Sequence, residues 1–323
     1  MADTLDSSRQ LQEALRHRCA EGNPELYRQL ALYLQVLRDG LLQAVQQACF
    51  HLATEVHGDR YRAMSPARRC RLHRRLMALV ARANALLTVE QLSHLACQLH
   101  RERLNLLARP LRPSEPEPPG SIRLALEPPI QLGEGWSPPS SFDPNEAGEA
   151  SGEGLLQLLQ SVVVGMDPEL PDGDGPFPPW ATGRLPEEPG LLLVWLEGLE
   201  QALDRRLRNL SHAINVELGR LGLITSLLPL PLLEAVLQGR VEQHPSVPNL
   251  VRLPGPAGEV LVLLLRRADL ELGQPALRTC RGRCRAHLAE VRKMADQSRR
   301  LQRRIQVLEA QELWLSDINS PSP

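Results

Sequence analysis

Leu191–Leu221 reads LLLVWLEGLEQALDRRLRNLSHAINVELGRL, and the fold turns on this stretch. Its apolar side chains stand at Leu192, Leu196, Leu199, Leu203, Leu207, Leu210, Ile214, Leu218 and Leu221. The steps of 4, 3, 4, 4, 3, 4, 4 and 3 average close to 3.6, the period of an α-helix with one apolar stripe. Pro186 and Pro189 bar an earlier start, while Gly219 and Gly222 stand where such a helix ends. At about 1.5 Å per residue the rod is about 45 Å long, and its stripe needs a partner.

The second long periodic stretch, Arg283–Leu315, supplies one. Val291, Met294, Ser298, Leu301, Ile305 and Leu308 step by 3, 4, 3, 4 and 3, the spacing of a coiled-coil seam. Between the two stretches, Pro231–Gln238 reads as a short helix stopped by Gly239. Leu250–Leu253, the loop PGPAG and Val260–Arg266 read as a β-hairpin. VLVLLL does not alternate, which predicts a strand covered on both faces. Residues 191–315 are therefore expected to form an antiparallel coiled-coil stalk carrying a small hairpin-containing head.

Outward from this unit, residues 1–110 read as a four-helix bundle. A short helix over Leu5–Cys19 is followed by Asn23-Pro24-Glu25, a cap, a proline and an acid that open a helix running to about His57. Ser65-Pro66 opens a third helix ending near Asn84, and Thr88-Val89-Glu90-Gln91 is a capping box for a fourth reaching about Leu107. Residues 111–190 hold 3 Arg against 14 Asp and Glu, with dense Pro and Gly, and read as an acidic linker. Two islands, SIRLAL (Ser121–Leu126) and GLLQLLQSVVV (Gly154–Val164), are expected to contact the folded parts; Trp136, Phe142, Phe177 and Trp180 lie in the same stretch. Residues 316–323 read as a disordered tail. The fold class is mainly α.

Composition narrows the function classes. The 323 residues carry a formal charge of −1, 42% apolar residues and only 3% aromatics, as in Leu-rich helical interiors. Asp3 and Asp6 open the chain and no apolar core follows, which predicts no signal peptide; no window of about 18 uncharged apolar residues appears. Six scattered cysteines do not make a disulfide framework and suit a reducing cytoplasm.

Among residues that carry chemistry, Cys280, Cys284 and His287 share one helical face at metal-ligand spacing, and the neighbouring Arg278, Arg281, Arg283 and Arg285 favour thiolates. The missing fourth ligand and the same arginines oppose a dication, so these residues are expected to pack rather than bind metal. Cys19, Cys49, Cys70 and Cys97 read as buried fillers. Arg60–Arg75 contains seven arginines, and Arg299, Arg300, Arg303 and Arg304 form a second cluster. Both match the charge of a polyanion site, with Arg68, Arg71, Arg75, Arg299 and Arg303 as candidate contacts, but neither accompanies a nucleic-acid reading module. Ser211-His212 are adjacent in a helix and point apart, and Asp172 and Asp174 lack the spacing of a calcium loop. No stretch carries a phosphate loop or an HExxH zinc motif, and none resembles a known family. The expectation is a non-enzymatic cytoplasmic interaction or scaffold protein, without cofactor, that docks another protein or itself. The alternatives are a nucleic-acid-binding regulator and a metal or thiol-redox protein.

Overall fold

A computed structural model describes residues 2–108, 130–131 and 185–319, apart from 225, 242–243, 245 and 256–257. The two islands, the four aromatics of the acidic stretch, Asp172 and Asp174 lie outside the described residues. Helix α1 spans Ala2–His51 and passes through a π-helical turn, Leu52–Val56, into α2 (Gly58–Ala63). Helices α3 (Pro66–Ala85) and α4 (Val89–Ala108) follow, then strand β1 (Ile130–Gln131) and helix α5 (Pro189–Arg220). The chain continues through β2 (Ser226–Leu227), α6 (Leu230–Leu237), β3 (Leu250–Gly255), β4 (Gly258–Leu263), α7 (Arg267–Gly273) and α8 (Pro275–Asn319). The fold is mainly α-helical with a small antiparallel hairpin.

Helix α5 is the axis of the molecule. The predicted stripe from Leu192 to Leu218 is buried throughout, and so are Trp195, Ala202, Ala213 and Asn215 on other sides. A helix buried on several sides has neighbours all round, and α5 packs against α3, α4 and α8. It ends where Gly222 enters the left-handed region at φ 69°, with the Leu223 N–H donating to the Leu218 carbonyl at 2.9 Å. Ser65 and Thr88 cap α3 and α4 as expected, their hydroxyls accepting from Arg68 N–H at 3.4 Å and Gln91 N–H at 3.3 Å.

The sequence reading of the first helices needs correction. The expected break at Asn23-Pro24 is absent, and α1 is one helix of 50 residues, about 75 Å long, with Pro24 inside it. Asn23 does not cap. Its Nδ2 donates to the Pro186 carbonyl at 3.0 Å and, more weakly, to that of Leu185 at 3.4 Å, tying α1 to the chain entering α5. A proline inside a helix costs about 3 kcal/mol. Burial of Cys19, Leu26, Leu30, Leu34, Leu37 and Leu41 on either side offsets it, at about 1.5–3 kcal/mol for each leucine.

Helix α8 corrects the expected stalk. Its first half lies antiparallel to α5, with Arg281 donating to Glu200 at 2.6 Å and Leu192 beside Val291 and Met294. Its most extensive partner is α1, also antiparallel: Arg9 meets Glu309 at 2.7 Å, Gly22 faces His287, and Gly40 faces Gln274. The core cluster draws on Cys19–Leu52, on α3 to α5 and on Leu277–Val291, so packing crosses the sequence divisions at 110 and 190. Outside this cluster, α1 before Cys19 and α8 after Met294 run on together as a two-helix arm.

The hairpin is covered on both faces, as VLVLLL predicts. Leu250, Leu263 and Leu265 enter the main core, whereas Val251, Leu253, Val260, Val262 and Leu264 join a second core with Leu228, Leu233 and Val236. Strands β3 and β4 pair in the register Leu250↔Leu263 to Gly255↔Gly258. The remaining edge of β4 faces α5. Asn215 Nδ2 donates to the Leu263 carbonyl at 2.8 Å, its Oδ1 accepts from Leu263 N–H at 3.0 Å, and Ser211 Oγ accepts from Leu265 N–H at 2.9 Å. Four residues of helix rise about 6 Å and two of strand about 6.7 Å, so Ser211 and Asn215 serve the edge as a neighbouring strand does. The other strand pair, β1 with β2, joins Ile130 to Leu227 and Gln131 to Ser226.

Candidate interaction surface

The arm is a coiled coil with a weak seam. On α1, Leu5, Ser8, Gln12, Leu15 and Cys19 repeat at steps of 3, 4, 3 and 4, each buried or half-buried. On α8 the predicted seam of Met294, Ser298, Leu301, Ile305 and Leu308 is likewise buried or half-buried. Ser8, Gln12 and Ser298 within it make the seam adhere less than an all-aliphatic one.

A second stripe runs along α8 away from α1. Arg303, Val307, Trp314 and Ile318 lie within about 60° of arc, centred about 140° round the helix from the seam. Val307, Trp314 and Ile318 are 56%, 69% and 65% exposed. Leu313 and Leu315 are also exposed, so the last two turns present four large apolar side chains to solvent. Exposed tryptophan and branched aliphatics on a rigid helix are the material of binding hot spots. Along this helix charge is divided: residues 291–305 carry six cations and one acid, whereas 306–318 carry three acids and no cation.

The predicted arginine contacts are scattered by the fold. Arg75 is half-buried and donates to Glu217 at 2.7 Å, and Glu217 also receives Arg220 at 2.9 Å. Arg60 donates to the Gly222 carbonyl at 2.7 Å, and Arg69 to the Met64 carbonyl at 3.0 Å while lying over the Tyr61 ring. Arg68 and Arg71 remain exposed on α3, a helix with six arginines and no acid. Arg299 pairs with Asp296 on its own helix, and Arg303 is exposed. The two clusters lie on different helices, α3 and α8, and each keeps part of its charge facing solvent.

Cys280 and Cys284 are buried in the main core, and His287 is half-buried beside Gly22 of α1. Among the described residues no three His, Cys, Asp or Glu side chains converge as a metal site. The expectation that the arginines favour a thiolate fails at Cys284. Burial outweighs Arg281 and pushes its thiol up to about 11. Burial does the same at Cys19 and Cys49, to about 11 and about 12, while Cys70 is exposed and Cys97 half-exposed rather than buried. All six cysteines are free. Ser211 is fully buried, its hydroxyl donating to the Leu207 carbonyl at 2.7 Å, and burial lowers the pKa of His212.

An ion-pair network braces α5 against α7 and α8. Arg267 reaches Asp204 through two bonds of 2.6 and 2.8 Å and Glu200 at 3.0 Å. Arg281 joins Glu200, and Tyr33 of α1 donates to Glu271 at 3.1 Å. Burial, helped by Glu271, makes the Tyr33 hydroxyl a weaker acid, and Arg281 and Arg267 offset only part of this. A cavity of about 140 Å³, lined by Cys19, Asn23, Leu26, Leu192, Val291 and Met294 among others, marks the junction at which the arm leaves the body. The outer stripe is not legible in sequence because Val307, Trp314 and Ile318 interleave with the seam residues along the chain, and only the position of α1 shows which face is left open. No protein-family model, curated protein or solved structure matches the chain.

Proposed function

We propose that this is a non-enzymatic, cytoplasmic interaction or scaffold protein, and that the α1–α8 arm is its binding element. One observation carries the reading: the last two turns of α8 expose Leu313, Trp314, Leu315 and Ile318 on a helix whose other face is already paired. A two-helix arm holds the backbone of these residues in place, so little backbone entropy is lost on binding. Among the described residues no helix is long and apolar enough to cross a membrane, which is compatible with this reading. Affinity capture from the native cytoplasm, comparing the intact chain with Trp314→Glu/Ile318→Glu, tests it. The variant keeps its circular dichroism and loses the specific partners; an unchanged partner set contradicts the proposal.

A nucleic-acid reading rests on α3, whose six arginines have no acid beside them in the helix. Its experiment is retention on a phosphate polyanion across a salt series, where Arg68→Ala/Arg71→Ala reduces the salt slope by about 2. The internal engagement of Arg60, Arg69 and Arg75 leaves that surface smaller than the sequence suggests.

A further inference from the structure

We infer that the outer stripe of α8 takes a second copy of this chain, in an antiparallel pairing with its two-fold axis between Ala310 and Gln311. The inference rests on the arm being the binding element and names its occupant. Two features of the helix point to it. The first is charge. Residues 291–305 carry Arg292, Lys293, Arg299, Arg300, Arg303 and Arg304 against Asp296, and residues 306–318 carry Glu309, Glu312 and Asp317 alone. Asp6 of α1 lies beside that acidic end, with Arg9 on Glu309. With the axis there, an antiparallel copy sets Arg303 and Arg304 of one α8 opposite Ile318 and Asp317 of the other, so cation meets acid at both ends of the pairing, whereas a parallel copy places like on like.

The second feature is shape. With the axis between 310 and 311, Val307 of each copy lies opposite Trp314 of the other, and Arg303 lies opposite Ile318. Ala310 stands at the axis, where a small side chain allows the helices to approach closely. Arg303 and Arg304 come within side-chain reach of Asp317, and the guanidinium of Arg303 lies near the indole face that an arginine favours. Glu309 and Glu312 point toward α1 rather than the partner, so the acids of the two copies do not oppose each other across the axis. Two arms paired in this way bury Val307, Trp314 and Ile318 in a four-helix arrangement, closed by a two-fold axis. The surface is small, in the class of transient contacts, and self-association over about 1–100 µM is expected.

Sedimentation velocity of the full chain from 1 to about 200 µM reads the result directly. Wild type shifts from monomer to dimer across this range, and Trp314→Glu weakens the association at least about tenfold. Because Trp314 is exposed, the melting curve of the dilute variant stays that of wild type, which separates loss of pairing from loss of fold. Arg303→Glu and Asp317→Arg each weaken the dimer and together restore it. Ala310→Cys in a Cys70→Ser chain forms an oxidised dimer, and Gln297→Cys does not. A chain that stays monomeric at 200 µM, or a dimer indifferent to Trp314→Glu, overturns the inference. If the chain is monomeric but capture of other proteins still needs Trp314, the second copy is wrong and the arm reading stands. If neither self-association nor capture depends on Trp314, both fall.

Discussion

Replacing Asn215 with leucine tests how the hairpin is held to the central helix. Asn215 is fully buried, and its amide exchanges two hydrogen bonds with Leu263, at 2.8 and 3.0 Å. Leucine keeps the same branched outline with bulkier methyl groups, so no cavity forms and any overpacking adds to the cost. The cost comes from leaving the Leu263 N–H and carbonyl without partners in a site closed to water. An unsatisfied buried group costs about 1–3 kcal/mol, so the pair gives about 2–5 kcal/mol. Ser211→Ala strands only the N–H of Leu265, and its expected cost is about 1–2 kcal/mol. Both values come from urea unfolding of the full chain, with the slope of the transition checked for constancy. Amide exchange at Leu263 and Leu265 should accelerate in the respective variants. A loss below about 1 kcal/mol for Asn215→Leu, or exchange unchanged at Leu263, refutes the edge-pairing role.

Pro24→Ala removes a proline from the interior of α1, so it is expected to raise stability by about 1–3 kcal/mol; a lower melting temperature instead supports a helix that begins at Pro24. Glu200 supplies a pH test. Burial raises its pKa, Arg267 and Arg281 outweigh burial, and its carboxyl is held below the usual range. A carboxyl lowered in the folded state contributes stability above its unfolded pKa, lost as pH falls through the folded value. Stability of wild type should therefore fall on acidification below about pH 4.3, and less steeply in Glu200→Gln; equal slopes in urea midpoints contradict this. In thiol labelling of the native chain at pH 7.5, exposed Cys70 reacts first, while Cys19, Cys49 and Cys284 wait for unfolding because burial raises their thiols to about 11 or 12. Rapid modification of Cys284 contradicts its packed position.

The parts of the fold legible in the sequence are those written in local chemistry. The stripe from Leu192 to Leu218, the caps at Ser65 and Thr88, and the non-alternating strand all follow from period or hydrogen-bonding preference within a few residues. At Asn23-Pro24 the local preference for a helix start is overridden by distant atoms: Asn23 bonds Pro186, and Cys19 before Pro24 and the leucines after it pack into the core. The pairing of α8 with α5 holds for its first half, but its pairing with α1 was not legible, for a related reason. Its seam announces that a partner exists, but α5 and α1 both offer stripes, and α1 hides its own behind Ser8 and Gln12. The candidate surface was half legible. Arg303 was named, whereas Val307, Trp314 and Ile318 became visible only once α1 was seen on the opposite face. For Arg75 the sequence carried no sign of Glu217, which lies 142 residues away.

The pairing of the first and last helices underlies both the arm and its exposed stripe, and one distance tests it. Spin labels at Gln10 and Gln306, both exposed, are read by pulsed electron resonance in the full chain diluted with unlabelled protein. Since Arg9 meets Glu309 at 2.7 Å, a single narrow distribution below about 25 Å is expected, allowing for label length and helix diameter. A broad distribution, or one centred beyond about 40 Å, means that α1 and α8 do not run together and contradicts the arm.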